Sequence, residues 1–352
     1  MKKTSLNEYR FFDPDSRVRN TAYELYQEIR GLPIVSPHGH VEPALLALNE
    51  PFPNPAELII IPDHYIFRML YSQGISMASL GIAAKDDTPS ETNARKIWQI
   101  FAEHFYLFTG TPSGIWLRHE LDTVFGISEE LNGESGQRVY DQIQEKLLQT
   151  EYLPRPLFDR FNIEVLTTTD GASDTLEHHQ TIQNASWNGR VIPCFRPDAV
   201  VQINAPGWKH EIESLSNASG IDIQDFKSFL HALENRRKFF KSIGAVSTDQ
   251  GILTPFTYEL TDSEAEAIFQ RAPQGEATGD DAKFFTANIL LEMARMSIED
   301  GMVMQIHPGS FRNHNQLIFE KFGPDKGCDI PTATEYTRNL PPLLNKYGND
   351  PG

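Results

Sequence analysis

Short apolar runs with the composition of buried strands alternate with segments of helical periodicity along much of this chain. The runs predicted as strands are residues 32–36, 163–168, 191–194, 245–248 and 302–306. Apolar side chains recur at helical spacing between the later runs, at residues 174–183, 226–240 and 280–299. Because strands that alternate with helices form parallel βα units, the sequence predicts an α/β protein.

One long segment after the first predicted strand interrupts this alternation. Residues 41–160 carry little strand signal, and helical spacing recurs there at residues 91–108 and 138–148. The predicted organisation therefore has three parts. Residues 1–40 form an N-terminal helix and the first strand, residues 41–160 form a helical insertion, and residues 161–352 carry strands two to five.

The charge of the chain limits its partners. The chain has 352 residues and a formal net charge of −17, and this negative charge argues against binding to nucleic acid or to an anionic membrane surface. An anionic substrate would have to be captured by local arginines. The two cysteines, Cys194 and Cys328, and an N-terminus without an apolar signal segment favour a reducing cytoplasm. The composition leaves the oligomeric state open, and a homo-oligomer is compatible with it.

Polar residues fall at the carboxyl ends of the predicted strands. They are His38, His40, Arg196, Asp249 and His307. In a (β/α)8 barrel, that rim is where active sites are built. The pattern therefore predicts a functional site made from these side chains.

His38-Gly39-His40 has the spacing of a metal-binding pair. Side chains at positions i and i+2 of a strand point to the same side, so two imidazoles can share one divalent cation. The glycine between them allows the backbone to pack closely. The alternative is a pair of hydrogen-bonded histidines in a loop.

Each of the other polar residues also has a functional and a structural interpretation. Asp249 is a candidate general acid or base, or a turn cap. His307 is a rim residue or a core histidine. Arg196 binds substrate or forms an ion pair with Asp198. Arg312 is either a residue that binds a carboxylate through paired N–H donors or an arginine of a surface loop.

Two further motifs have local structural explanations. Asp63-His64-Tyr65 opens a helical segment, where Asp63 is an ordinary N-cap and the next two residues are packed side chains. Glu177-His178-His179 suggests a metal site, but adjacent histidines on a helix face different ways. The sequence therefore predicts structural histidines at 178 and 179.

An ordered series of motifs over essentially the whole chain resembles the uronate isomerases of the amidohydrolase superfamily. The segments that carry this resemblance are residues 36–40, 62–74, 104–108, 116–119, 125–126, 158–163, 167–170, 176–179, 195–198 and 305–315. The resemblance implies a metal-dependent-hydrolase-like (β/α)8 TIM barrel with a helical insertion after strand one. It also implies an aldose–ketose isomerase that converts D-glucuronate to D-fructuronate and D-galacturonate to D-tagaturonate through a cis-enediol.

The resemblance also assigns roles to individual residues. It implies metal binding by His38 and His40, with zinc as the divalent cation. It implies catalytic roles for Tyr65, Asp249 and His307. It implies substrate binding by His64, Arg196 and Arg312, and so a small-molecule uronate as partner.

The resemblance is incomplete, because the chain has five predicted strands where a (β/α)8 barrel has eight. The missing units would carry the family's remaining metal ligand, an aspartate that is also its expected base. Five strands cannot close a barrel, and two sheet edges would remain open. We therefore expect a C-terminally truncated fragment that is inactive and poorly soluble by itself.

Two other functions stay open. A metal-dependent hydrolase of the same superfamily would also use an HxH motif with a rim histidine and aspartate. The lysine that such hydrolases usually carry at the end of strand four has no counterpart near Asp249. The other alternative is an inactive remnant that binds a uronate without converting it.

Overall fold

The computed structural model describes residues 6–350, which form helices and short strands. The α-helices are Ser16–Ile29 (α1), Pro43–Leu48 (α2), Pro55–Ile59 (α3), His64–Tyr71 (α4), Ala94–Glu103 (α5), Pro112–His119 (α6), Gly136–Leu147 (α7), Pro154–Arg160 (α8), Glu177–Asn184 (α9), Asp198–Val201 (α10), Trp208–Ser219 (α11), Phe226–Ser242 (α12), Asp262–Arg271 (α13), Gly279–Asp300 (α14), Gln316–Phe322 (α15) and Pro341–Tyr347 (α16). The strands are Ile34–Ser36 (β1), Ile163–Thr167 (β2), Asp170–Gly171 (β3), Arg190–Ile192 (β4), Phe195–Arg196 (β5), Ser247–Gln250 (β6), Val303–Ile306 (β7), Ser310–Phe311 (β8) and Ile330–Pro331 (β9). Short 3-10 or π turns lie at Ala78–Leu80, Phe105–Phe108, Glu120–Val124, Thr150–Tyr152 and Ala272–Gln274.

Strand pairing is parallel between β2 and β4, β3 and β5, β5 and β6, and β6 and β7, as the alternation of strands and helices predicts. One sheet has the order β1-β2-β4 and another has the order β3-β5-β6-β7. In the second sheet Gly171 lies opposite Arg196, Phe195 opposite Thr248, and Asp249 opposite Gln305. Parallel pairing brings the carboxyl ends of these strands, and the polar residues there, to one edge.

The strand that carries Asp249 differs from its prediction. The sequence predicts a strand at residues 245–248 that ends before Asp249, whereas β6 runs from Ser247 to Gln250 and is buried throughout. Asp249 therefore lies inside the strand and not after it. Asp and Gln have low β-propensity, so a pattern based on apolar residues misses a strand whose side chains are polar and buried.

The chain divides into two compact units, and the first contains most of the predicted helical insertion. It comprises residues up to 34, 49–162 and 312–330. Between residues 41 and 160 the structure contains helices and turns without a strand. Trp98 and Phe101 on α5 are almost completely buried, and the indole N–H of Trp98 donates to the carbonyl of Gly136, at the start of α7 (2.8 Å). The aromatic residues of this segment form part of a hydrophobic core.

The second unit, residues 35–48, 163–311 and from 331 onward, contains the parallel strands. Its core includes a cluster of aromatic rings from α12, α13 and α14. Phe229 contacts Phe269 and Phe285, with ring centroids 5.4 and 6.0 Å apart. Phe195 of β5 is fully buried against Phe240 of α12. These contacts hold the helices against the back of the sheet and so support the strands that end in polar residues.

Two other features bear on the sequence predictions. Cys194 and Cys328 are both buried free thiols. Within residues 6–350, the structure has no helix that combines the length and the apolar character needed to cross a membrane.

Close backbone packing beside Gly39 leads to a first prediction. A Cβ at Gly39 would lie 2.7 Å from the carbonyl oxygen of Thr167, a backbone atom that cannot easily move. Gly39→Ala should therefore lower the free energy of unfolding by about 1–3 kcal/mol, the usual cost of overpacking. Urea titration measures the change. Gly171→Ala is the matched control, because a Cβ there would meet no atom within 4 Å. Equal stability of the two variants would contradict the prediction.

Candidate active site

Three side chains of the second unit converge on one point, and their ligand atoms all lie within 4.8 Å of one another. They are His38, Asp249 and His307. Nε2 of His307 lies 2.6 Å from Oδ1 of Asp249, and Nδ1 of His38 lies 3.9 Å from Oδ2 of the same carboxylate. The rings of His38 and His307 meet edge to face. Two imidazoles and a carboxylate form a donor set typical of a divalent metal site.

The strands place these side chains directly. Asp249 lies in β6, and His307 follows the last residue of β7, with its backbone N–H donating to the carbonyl of Gln250 (3.1 Å). His38 comes two residues after the end of β1. The Thr169 hydroxyl donates to the carbonyl of Gly39 (2.9 Å), which fixes the backbone between the two histidines.

The Asp249 carboxylate is fully buried, yet neither oxygen has a hydrogen bond of normal geometry with a described residue. Nε2 of His307 is likewise buried without such a partner. Burial acts to raise the pKa of Asp249, but the contact with His307 and the charge of Arg196 outweigh it and hold that pKa below its usual range. An ionised carboxylate buried without hydrogen bonds is costly unless a cation neutralises it. The three residues therefore fit a bound divalent cation.

His40 contacts the other ring nitrogen of His38. The two Nε2 atoms lie 3.0 Å apart, whereas the contact of His38 with Asp249 uses Nδ1. Partial burial of the ring, together with His38 and Arg196, lowers the pKa of His40 and favours the neutral imidazole that metals bind. The structure thus joins the two predicted ligands to each other and joins His38 to Asp249 and His307.

Arg196 forms the ion pair that is one of its two sequence interpretations, and its role in substrate binding stays a prediction. Its Nε donates to Oδ2 of Asp198 (2.6 Å), which is the predicted ion pair across the turn. Its Nη1 also lies 3.4 Å from Oδ2 of Asp249, so the guanidinium borders the converging residues. Gly251 follows β6, and its backbone N–H donates to the Asp198 carboxylate (3.2 Å). From the sequence, Asp198 is only a structural partner of Arg196, and no motif marks Gly251.

The other predicted site residues, His64, Tyr65 and Arg312, belong to the first unit. Asp63 caps α4 as predicted, and its carboxylate accepts from the backbone N–H of Tyr65 (2.8 Å). The rings of His64 and Tyr65 lie 4.5 Å apart, and the Tyr65 side chain is exposed. Arg312 lies 3.7 Å from the carboxylate of Asp325. The functional roles of His64, Tyr65 and Arg312 stay predictions.

Adjacent histidines on α9 face different ways, as predicted. His179 is buried, and its Nε2 lies 2.8 Å from the hydroxyl of Thr168, which donates to Asp170 (2.7 Å). Burial raises the pKa of Asp170 to about 6 and lowers the pKa of His179 to about 4. His178 remains partly exposed. His179 therefore belongs to a buried polar network, and neither histidine belongs to the convergent group.

The fit of the three residues to a cation leads to a second prediction. Asp249→Asn should weaken binding of Zn²⁺ by more than about tenfold, because the neutral amide cannot replace a buried charged ligand. His307→Ala should act in the same direction. Competition with a fluorescent chelator measures the affinity, and His178→Ala is the control. Unchanged affinity in both variants would exclude this group as the metal site.

Comparisons with known proteins identify the family of this chain. The family model for glucuronate isomerase matches residues 11–350. The uronate isomerase of Nostoc punctiforme is 53% identical over 350 residues, which cover 99% of this chain and 74% of the relative. The uronate isomerase of Brucella canis is 50% identical over 347 residues, with the same coverage of both chains.

Solved structures lead to the same family. The crystal structure of glucuronate isomerase from Caulobacter crescentus superposes with a TM-score of 0.96 at 46% identity, covering 99% of this chain and 72% of the other. The uronate isomerase structure from Thermotoga maritima gives a TM-score of 0.87 at 28% identity, covering 94% of this chain and 72% of the other. With a family model that spans most of the chain and relatives of this identity, the chain belongs to the glucuronate isomerase family.

Proposed function

We propose that this chain catalyses the aldose–ketose isomerisation of uronates. The substrates are D-glucuronate, converted to D-fructuronate, and D-galacturonate, converted to D-tagaturonate. The observation that carries the proposal is the convergence of His38, Asp249 and His307 beside Arg196, in a chain that belongs to this family. The barrel fold of the family and its helical insertion are part of the same proposal.

The reaction moves a proton between C2 and C1 of the sugar acid through a cis-enediol. It needs a group that moves the proton, a positive centre beside the oxygen that becomes charged, and a clamp for the substrate oxygens. Arg196 supplies fixed positive charge in a chain that is strongly acidic overall. We assign substrate binding to Arg196, His64 and Arg312.

We assign catalytic roles to Tyr65, Asp249 and His307. The low pKa of Asp249 keeps its carboxylate ionised at neutral pH, so it can hold a hydroxyl or orient a neighbouring imidazole. His307, in contact with that carboxylate, is oriented by it. Tyr65 carries a phenolic hydroxyl on an exposed side chain at the start of α4, where it is accessible to a substrate.

A divalent cation, for which we propose zinc, would be held by His38, Asp249 and His307, with His40 as a further ligand. Its support is the buried Asp249 carboxylate, which accepts no hydrogen bond of normal geometry from a described residue. When bound, such an ion polarises substrate oxygens and stabilises negative charge that develops on them. The cytoplasm is the proposed location.

The test is a third prediction. The purified chain is incubated with D-glucuronate and Zn²⁺, and ¹H NMR follows formation of D-fructuronate while calorimetry measures binding. Arg196→Met should weaken uronate binding or kcat/KM by about ten- to a hundredfold, because it removes a charge-assisted hydrogen bond. Arg17→Met is the control, since that side chain is almost fully exposed.

The outcomes separate the competing functions. Conversion that depends on Arg196 supports the isomerase. Binding without conversion would favour the uronate-binding alternative and the predicted inactivity of the isolated chain. A chain that neither binds nor converts a uronate contradicts the proposal.

A further inference from the structure

The Nη2 nitrogen of Arg196 has no hydrogen-bond acceptor among the described residues around it. Nε donates to Asp198, and Nη1 faces Asp249 at 3.4 Å. Among residues 6–350, no acceptor forms a hydrogen bond with Nη2. The side chain is only 20% exposed, so the guanidinium is not a mobile surface group. The hydrogens of Nη2 are therefore available to an external oxygen.

Asp198 is itself fixed from a second direction. It opens the short helix α10, and both of its carboxylate oxygens accept from the backbone N–H of Gly251 at 3.2 Å. The carboxylate thus connects the end of β6 to the Arg196 guanidinium. Turning the carboxylate away would break the bonds to both Gly251 and Arg196.

Position 251 requires glycine because neighbouring side chains leave no room for a Cβ, and not because of its backbone conformation. A Cβ at this position would lie 2.2 Å from Nη2 of Arg196 and 2.7 Å from Oδ2 of Asp198. It would also lie 3.1 Å from Cε1 of His307. The residue is not among the glycines with positive φ, so an alanine could adopt its backbone angles. The absence of a side chain is what lets the guanidinium lie beside Asp249.

We propose that Asp198 and Gly251 are positioning residues, which hold the Arg196 guanidinium against Asp249 and aim its free Nη2 at an oxygen of the uronate. The inference rests on the proposed function, because it takes Arg196 as a substrate-binding group. Asp198 fixes the guanidinium by a two-sided hydrogen-bond bridge, and Gly251 supplies the space. Neither residue touches the substrate.

A double-mutant cycle separates positioning from a general contribution to stability. The dissociation constant for D-glucuronate is measured by calorimetry for wild type, Asp198→Asn, Arg196→Met and the double variant. Asp198→Asn alone should weaken binding about tenfold, since the guanidinium loses its charged partner. In the Arg196→Met background the same change should have no further effect, because residues that act through one another are not additive.

Gly251→Ala provides an independent second test of the positioning role. It keeps every charge but places a methyl group where Nη2 lies, so uronate binding should weaken as it does in Asp198→Asn. Zn²⁺ affinity is measured on the same protein, because the methyl also approaches His307. Gly171→Ala is the matched control: Gly171 lies opposite Arg196 in the sheet, and a Cβ there meets no atom within 4 Å. Asp281→Asn breaks another Arg–Asp pair, with Arg271, as a control for lost stability.

The outcomes distinguish the positioning role of Asp198 and Gly251 from the proposed function of the chain. Normal uronate binding in Asp198→Asn and Gly251→Ala, or equal losses from Asp198→Asn with and without Arg196, overturns the positioning role. Should Asp198→Asn fail to melt cooperatively, Gly251→Ala decides alone. Normal binding in Arg196→Met overturns the assignment of Arg196 and the positioning role with it. A wild-type chain without uronate affinity overturns the proposed function itself.

Discussion

The ionised Asp249 carboxylate is the constraint on which the rest of the site depends. It is completely buried inside a strand of polar residues and has no conventional hydrogen-bond donor among the described residues. A charge in that environment is tolerated only when positive groups surround it. Arg196 supplies positive charge beside it, and His38 and His307 offer ring nitrogens that could share a bound cation with it; each of the three residues comes from a different strand end. The site is thus organised around a charge that the interior could not otherwise hold.

The sequence predicted the elements that carry the site better than it predicted how they meet. The alternation of apolar runs correctly located β1, β2, β4, β6 and β7, because strands of a parallel sheet are rich in apolar residues. The predicted burial was wrong for β1 and β7, which are exposed or only partly buried. The boundary of β6 was missed, since all four of its buried residues, Ser247 to Gln250, are polar. Very short strands such as β3 and β5 carry too few residues to produce a pattern. The helix predicted at residues 91–108 ends at Glu103 and continues as a 3-10 turn, a boundary that periodicity does not resolve.

Interpretations of single residues correctly predicted contacts between near neighbours in the sequence. They missed contacts between residues that are distant along the chain. The sequence weighed an Arg196–Asp198 ion pair against substrate binding, and the structure contains the ion pair while also bringing Arg196 to Asp249. The two interpretations are compatible because a guanidinium has several donors, and one carboxylate uses only part of them. Gly251 could not be recognised from sequence, since its importance comes from neighbours that are distant along the chain. A single glycine after a strand is common and has no distinguishing pattern.

The way the chain alternates between its two compact units has a consequence for how the protein folds. The core of the first unit is built mainly from residues 56–152, yet Ile318 and Cys328 belong to the same core. This core is therefore completed only after the residues of the second unit that separate these segments have been synthesised. Contacts of such sequence separation slow folding and leave apolar surface exposed in the meantime. During synthesis on the ribosome, the first unit should therefore keep part of its apolar core exposed until residues 316–328 have emerged.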